Sequence, residues 1–309
     1  PNIVRMQQDR GINRFKCATI AEADMLGECK AGEVILAYQP VGPAIHRFME
    51  LQQVYPETDF SCLCDNPEVI REIDRASQEA NLISSLYIDL DCGHHRTGIA
   101  PSGASDLAQC INSLNSVELK GIHVYDGHLH DPDFATRKLK ALSVEAVVME
   151  VRDSIDSDLE VVIGGSPTFP IHALKADFFL SPGTTVLWDK GYGASLEGLE
   201  MFHPAALVVS RVISNPEEGT YCLDAGHKAI SAEHQQPPMI FGLASFEVVT
   251  HSEEHLAIRT NTPLSLGQVL YLVPHHICPT VALHEEAIVV EDNKITGRWP
   301  IYRQRKIRV

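Results

Sequence analysis

The sequence predicts an α/β fold: a (β/α)8 barrel whose first strand is missing from this chain, followed by a C-terminal, mostly antiparallel β domain. Three observations predict it. Apolar strand-like runs alternate with helical stretches through the first two hundred residues, the pattern of a parallel sheet covered by helices. No Gly-rich dinucleotide fingerprint follows any of these strands, which disfavours an open doubly wound sheet. Polar residues gather at the strand C-terminal ends, where a barrel carries its chemistry. They are Asp91, His94, His95, Arg96, Tyr125, His128, His130, Gly164–Ser166 and Ser181–Thr184.

In chain order, Asn2 to Asp9 reads as a short helix closed by Arg10-Gly11. Strands are expected at Arg14–Ala18, Val34–Tyr38, Asp59–Leu63, Leu86–Asp91, Leu119–Tyr125, Leu159–Gly164 and Asp177–Leu180. Between them lie helical stretches at Thr19–Glu28, Pro43–Val54, Pro67–Ala80, Ser105–Leu114 and Ala135–Arg152. Asn66-Pro67 has the start chemistry of a helix, an Asn cap with proline at the first helical position. These runs amount to seven strands where a closed barrel needs eight, and the chain opens inside a helix. The simplest account is a barrel whose first strand lies before residue 1. After about Met201 the runs become short and β-rich: Ala205–Ser214, Thr220–Asp224, Glu247–Thr250, His255–Thr260, Val269–Val273 and Ala287–Val290. The expected division is therefore a barrel over 1–200 and a β domain over 201–309.

At 309 residues and 34.1 kDa the chain is long enough for about two domains. A formal net charge of −16, with no basic run except Arg303 to Arg308, argues against nucleic acid or an anionic membrane as a main partner. No apolar run approaches a membrane span and no signal peptide is visible. The cysteines at 17, 29, 62, 64, 92, 110, 222 and 278 contain no CxxC pair. They read as reduced thiols of a cytoplasmic protein, and Cys62-x-Cys64 as a buried strand in preference to a ligand pair.

Five stretches carry candidate chemistry. Pro274-His275-His276-Ile277-Cys278-Pro279 sets imidazole and thiol into an apolar run. In an extended chain, His276 and Cys278 would share a face and offer nitrogen and sulfur to zinc or a similar metal, with positions open for other ligands. Gly164-Gly165-Ser166-Pro167-Thr168 and Ser181-Pro182-Gly183-Thr184-Thr185 follow consecutive strands, where barrels hold phosphate groups on backbone N–H groups and hydroxyls. Arg96 stands just past a strand end between glycines and suits an anionic oxygen. His128-x-His130 has the form of a hydrolase metal pair, although such enzymes usually place it on the first strand.

Together these stretches resemble the metal-activated pyridoxal-phosphate enzymes that include D-threonine aldolase and eukaryotic-type D-serine dehydratase, relatives of the alanine racemase N-terminal domain. The matching residues are Phe15–Ala23, Ala37–Pro43, Phe60–Leu63, Asp91-x-Gly93-x-x-Arg96-x-Gly98, Gly164–Thr168, Pro182–Thr184, Leu223–Lys228, Ser252–His255 and Pro274–Thr280. The resemblance implies a fold-type III, normally homodimeric enzyme that uses pyridoxal 5′-phosphate and a divalent metal, zinc or manganese, on a small D-amino acid. It matches His276 and Cys278 to metal ligands, Arg96 to an arginine beside the cofactor ring and Tyr125 to a pocket tyrosine. It matches Gly165, Ser166, Thr168, Gly183 and Thr184 to the phosphate pocket. The family's Schiff-base lysine falls upstream of Pro1, and Lys16 matches a different position. The implied reaction is aldol cleavage of a D-3-hydroxy amino acid to glycine and an aldehyde. Dehydration of D-serine or 3-hydroxyaspartate is the alternative within the family. Outside it stand a metal-dependent barrel hydrolase using His128 and His130, and a non-catalytic cofactor-binding remnant.

Overall fold

The computed structural model describes residues 1–175, 177–233 and 236–302. These form two compact units, Pro1–Pro182 with Tyr302, and Gly183–Ile301. The basic run Arg303 to Arg308 lies outside the described residues.

The first unit runs α1 (Asn2–Gln8), β1 (Arg14–Cys17), α2 (Ile20–Glu28), β2 (Glu33–Leu36), α3 (Pro43–Val54), β3 (Asp59–Cys64) and α4 (Pro67–Ala80). It continues with β4 (Ser84–Leu90), α5 (Ala104–Asn112), β5 (Val117–Val124), α6 (Phe134–Ile155), β6 (Glu160–Ile163), α7 (Phe169–His172) and β7 (Phe178–Leu180). Local chemistry fixes the boundaries. Thr19 caps α2 by accepting from the Glu22 amide, and the Glu22 carboxylate accepts from the Ala18 amide in return. Asn66 caps α4 before Pro67, and Asn81 closes it with φ +55°.

The seven strands pair in sequence order, β1 to β7, and every neighbouring pair is parallel. Side chains alternate between two faces. Phe15, Cys17, Val34, Leu36, Phe60, Cys62, Leu86, Ile88, Ile122, Val124, Val161 and Ile163 face the helices and form the main core. Cys62 and Cys64 are wholly buried there, and burial pushes both thiols well above their ordinary range, which fits packing better than ligation. The alternate residues face the lumen, where Ile35, Leu63, Tyr87 and Val162 make a small separate cluster. Around its N-terminal end charged groups pair across strands: Arg14 with Glu33 and Glu160, Lys120 with Glu33 and Asp59, and the Tyr87 hydroxyl with Glu160. The sheet curls enough that the Arg14 guanidinium on β1 lies 3.6 Å from the centre of the Phe179 ring on β7.

The second unit contains α8 (Lys190–Ser195), β8 (Val208–Glu217), β9 (Thr220–Leu223), β10 (Met239–Ile240), β11 (Glu247–His251), β12 (Leu256–Arg259), β13 (Val269–Val273), α9 (Ile277–Val281), β14 (Glu286–Glu291) and β15 (Lys294–Pro300). Six strands form a sheet in the order β10-β13-β8-β9-β12-β11, all antiparallel, and β14–β15 is a separate hairpin. Its core is Val208, Val212, Leu223, Ile240, Leu256, Ile258, Leu270 and Leu272.

One expectation is corrected here. The stretch His276–Cys278 is not extended. Pro274, which lacks an N–H for the ladder, follows the end of β13, and His276 is the N-cap of α9 with φ −129°. Cys278 stands in the first turn of that helix.

Candidate active site

At the C-terminal end of the barrel strands, Tyr125 is the hub. Its ring lies 4.9 Å from the Arg96 guanidinium carbon, 5.6 Å from Lys16 Nζ and 5.1 Å from the His94 ring, which meets it edge-on. His128 stacks on His94 at 5.9 Å. Burial, helped by Arg96 and His128, pushes the His94 imidazole below its ordinary value, so it packs as a neutral ring. Among the described residues Arg96 makes no ion pair or hydrogen bond, and its guanidinium lies over the Tyr125 ring. A guanidinium left unpaired at a strand end is available to an anion. The strand-end loop holding it is ordered by Asp91, whose carboxylate accepts from the Gly93 and His95 amides at 3.0 and 2.9 Å.

Lys16 belongs to a hydrogen-bonded chain of side chains that runs Thr97, Asp89, His123, Lys16 and Ser181. Thr97 and His123 Nδ1 donate to the two oxygens of buried Asp89, at 2.8 and 2.7 Å. His123 Nε2 lies 3.0 Å from Lys16 Nζ, which also donates to Ser181 Oγ at 2.7 Å. Ser181 in turn donates to the Gly164 carbonyl at 3.0 Å. Burial and the nearby Lys16 ammonium depress His123 to about 4, so it is neutral, with Nδ1–H donating to Asp89 and the Nε2 lone pair facing Lys16.

The Gly164–Thr168 loop is anchored from beneath. Asp126 accepts from the Gly165 amide at 3.1 Å, Thr168 Oγ1 at 2.7 Å and His172 Nε2 at 2.9 Å. Burial works against the Asp126 carboxylate, yet these donors outweigh it and hold its pKa below the ordinary value. His172 also faces Glu145 at 3.4 Å, and fully buried Arg137 donates to the Pro167 carbonyl at 3.1 Å. Gly164 has φ +86°, a conformation that favours glycine. A Cβ on Gly165 would come within 3.0 Å of the Tyr125 ring. The hydrogen bonds of Gly165 and Thr168 therefore order the loop, and Ser166 lies between them. Asp89, Lys16, His123, Asp126 and His172 were not among the residues that sequence reasoning assigned to the site. Their signal was a polar residue at an alternate position of an apolar strand, as in Tyr87-Ile88-Asp89 and Gly121-Ile122-His123.

In the second unit, Asp189 caps α8 through the Tyr192 amide and accepts from the Ile277 amide at 3.1 Å, fixing the start of α9. The Gly191 amide donates to the His275 carbonyl at 2.9 Å, and a Cβ on Gly191 would sit 2.5 Å from that oxygen. His276 and Cys278 face each other within hydrogen-bond reach, and Glu233 contacts His276 Nδ1. The Cys278 contact, and then Glu233, raise the His276 imidazole to about 9 against the opposing effect of burial. Thr184 Oγ1 lies 3.9 Å from Cys278 Sγ, and Gly183 precedes it with open space where a Cβ would stand. Among the described residues no three His, Cys, Asp or Glu side chains gather to enclose a metal. The His276/Cys278 pair fits a two-donor site with open positions, not a closed structural one. His128 is half-buried with Nδ1 unpartnered, while His130 is exposed.

The fold, with its chemistry at the strand C-terminal ends, is that of a barrel enzyme class. The alanine racemase N-terminal domain matches residues 2–188, so the chain belongs to that family; a serine dehydratase domain matches residues 205–290. Among curated relatives, D-threonine aldolase of Arthrobacter sp. is 26% identical over 97% of this chain and 82% of its own length. The crystal structure of D-threonine aldolase from Filomicrobium marinum superposes with TM-score 0.89 at 23% identity, over 97% of this chain and 84% of that one. D-threo-3-hydroxyaspartate dehydratase from Delftia sp. HT23 superposes with TM-score 0.78 at 17% identity, over 97% and 86%. A cysteine-to-alanine variant of a D-threo-3-hydroxyaspartate dehydratase was solved in a metal-free form.

Proposed function

We propose that this protein is a lyase dependent on pyridoxal phosphate and a divalent metal, cleaving D-3-hydroxy amino acids to glycine and an aldehyde. The observation that carries the reading is the Arg96 guanidinium on the Tyr125 ring, unpaired among the described residues, beside the Gly164–Thr168 loop that Asp126 anchors. When bound, the cofactor supplies an electron sink for charge developing at the substrate Cα. Arg96 holds an anionic ring oxygen and Tyr125 packs the ring. Ser166, Gly183 and Thr184 are assigned to the phosphate by donor chemistry, and Gly165 and Thr168, whose own donors go to Asp126, are assigned to shaping the loop that would hold it. His276 and Cys278 are assigned to zinc or manganese, a Lewis acid for the substrate hydroxyl. The reading includes a homodimer that works in the cytoplasm. Dehydration of D-serine or 3-hydroxyaspartate is the second reading. What favours it is the cysteine donor: the dehydratase variant in the metal-free form had lost a cysteine.

The test is metal analysis beside turnover of a D-3-hydroxy amino acid, before and after chelation, in the full-length protein and in Cys278→Ala. Metal and turnover should both be lost in the variant while cofactor absorbance stays, and metal affinity should weaken as acid protonates the thiolate. Full turnover by a demonstrably metal-free enzyme would overturn the metal assignment. Formation of pyruvate instead of glycine would decide for dehydration.

A further inference from the structure

Lys16 has no task in the reading above, and its surroundings differ from those of the paired cations Arg14 and Lys120. Two residues earlier on the same strand, Arg14 is matched by Glu33 and Glu160. Lys16 instead meets two neutral groups, the Ser181 hydroxyl and the lone pair of neutral His123. The carboxylates that face it are committed elsewhere, Asp89 to His123 and Thr97, and Asp126 to Gly165, Thr168 and His172. Arg96 adds a second positive charge on the same Tyr125 ring. In a chain of net charge −16, the mouth thus holds two cations that form no ion pair among the described residues. A desolvated ammonium is costly unless an anion answers it. An anion bound against Tyr125 would do so.

We propose that Lys16 is a charge-setting residue of this pocket: held between Ser181 and His123, its ammonium stabilises the ionised form of an acidic substituent on an aromatic ligand packed against Tyr125. The ligand class is an aromatic ring bearing a phenolic oxygen, so the inference rests on the cofactor assigned under the proposed function. The role is non-covalent. Asp89 acts through His123: by accepting the Nδ1–H hydrogen bond it fixes the tautomer whose Nε2 lone pair faces Lys16. Burial, opposed in part by Asp89 and reinforced by Arg96, lowers the Lys16 amine to about 8. Its charge is therefore present below that pH and lost above it. The groups facing it from other strands and loops are Asp89, His123, Arg96 and Asp126, with Ser181 on the far side.

The experiment loads the full-length protein with pyridoxal phosphate and records cofactor absorbance against pH for wild type, Lys16→Gln and Lys16→Arg. Glutamine keeps a donor for Ser181 but removes the charge; arginine keeps the charge. Wild type should show a spectral step near pH 8 that Lys16→Gln lacks. The ring substituent in Lys16→Gln should ionise about one pH unit higher, a tenfold change in its equilibrium, and Lys16→Arg should restore the wild-type position. Circular dichroism checks that each variant folds. An unchanged titration in folded Lys16→Gln overturns the Lys16 role alone. Failure of wild type to bind the cofactor at all overturns the cofactor reading, and this inference with it.

Discussion

The two ends of the barrel lumen use the same kinds of side chain to opposite ends. At the N-terminal end, Glu160, Arg14, Glu33, Lys120 and Asp59 form a chain of ion pairs in which each charge has an opposite partner. Burial alone would lower Arg14, but Glu33 and Glu160 more than reverse it, and its pKa is raised. At the C-terminal end, Arg96 and Lys16 meet an aromatic ring, a hydroxyl and a neutral imidazole. Paired charges hold strands together, whereas Arg96 and Lys16 are the two cations that the proposed cofactor would answer.

Substitutions can break that contrast. The largest expected effect is on stability, from Arg14→Met. It would leave Glu33 and Glu160 sharing a half-buried space without their common cation. A loss of about 2 kcal/mol is expected, between the values for exposed and buried pairs. Denaturant unfolding measures it, with cofactor affinity unchanged. A smaller, opposite profile is expected for Arg96→Ala. Stability should stay within about 0.5 kcal/mol, because no ion pair is lost, while cofactor affinity falls about tenfold. Equal loss of stability in the two variants would erase the distinction between the two ends. The smallest effect concerns the loop that presents Arg96. The backbone amides of His95 and Gly93 and the His95 ring hold Asp91 down to about 2, against the effect of burial. Its contribution is complete above the ordinary carboxylate range and is lost as pH falls toward 2. Amide exchange of Gly93 and His95 should accelerate over that acid window while the strands stay protected.

Much of the barrel was legible because each strand announced itself as an apolar run between helix signals. Pro43–Val54 and Pro67–Ala80 end where proline, Asn66 and Asn81 say they should. The second unit was harder to read. β10 is only two residues, Met239–Ile240, and β15 carries Gly297 and Pro300 within Lys294–Pro300, both poor strand formers. The short helix α9 hid behind two prolines. Of the site, Arg96 and Tyr125 stood out by their position at strand ends. Asp89 did not, because the neighbouring Asp91 carried the motif; the one-residue offset that aims Asp89 into the lumen and Asp91 into a turn shows only when strand parity is followed. His172 and Glu145 pair through space across helices and left no local pattern to find.

The order of the sheet also sets the order in which its contacts become affordable to the chain. Each ladder joins strands that are neighbours in sequence, so the βα units can zip from either end with short loops to close. The contacts of Arg14 with Glu160 and of Lys16 with Ser181 span 146 and 165 residues, and they gain their geometry only once the intervening strands are in place. Those cations are late-forming latches. Weakening one is expected to quicken opening of the folded barrel far more than it slows its assembly.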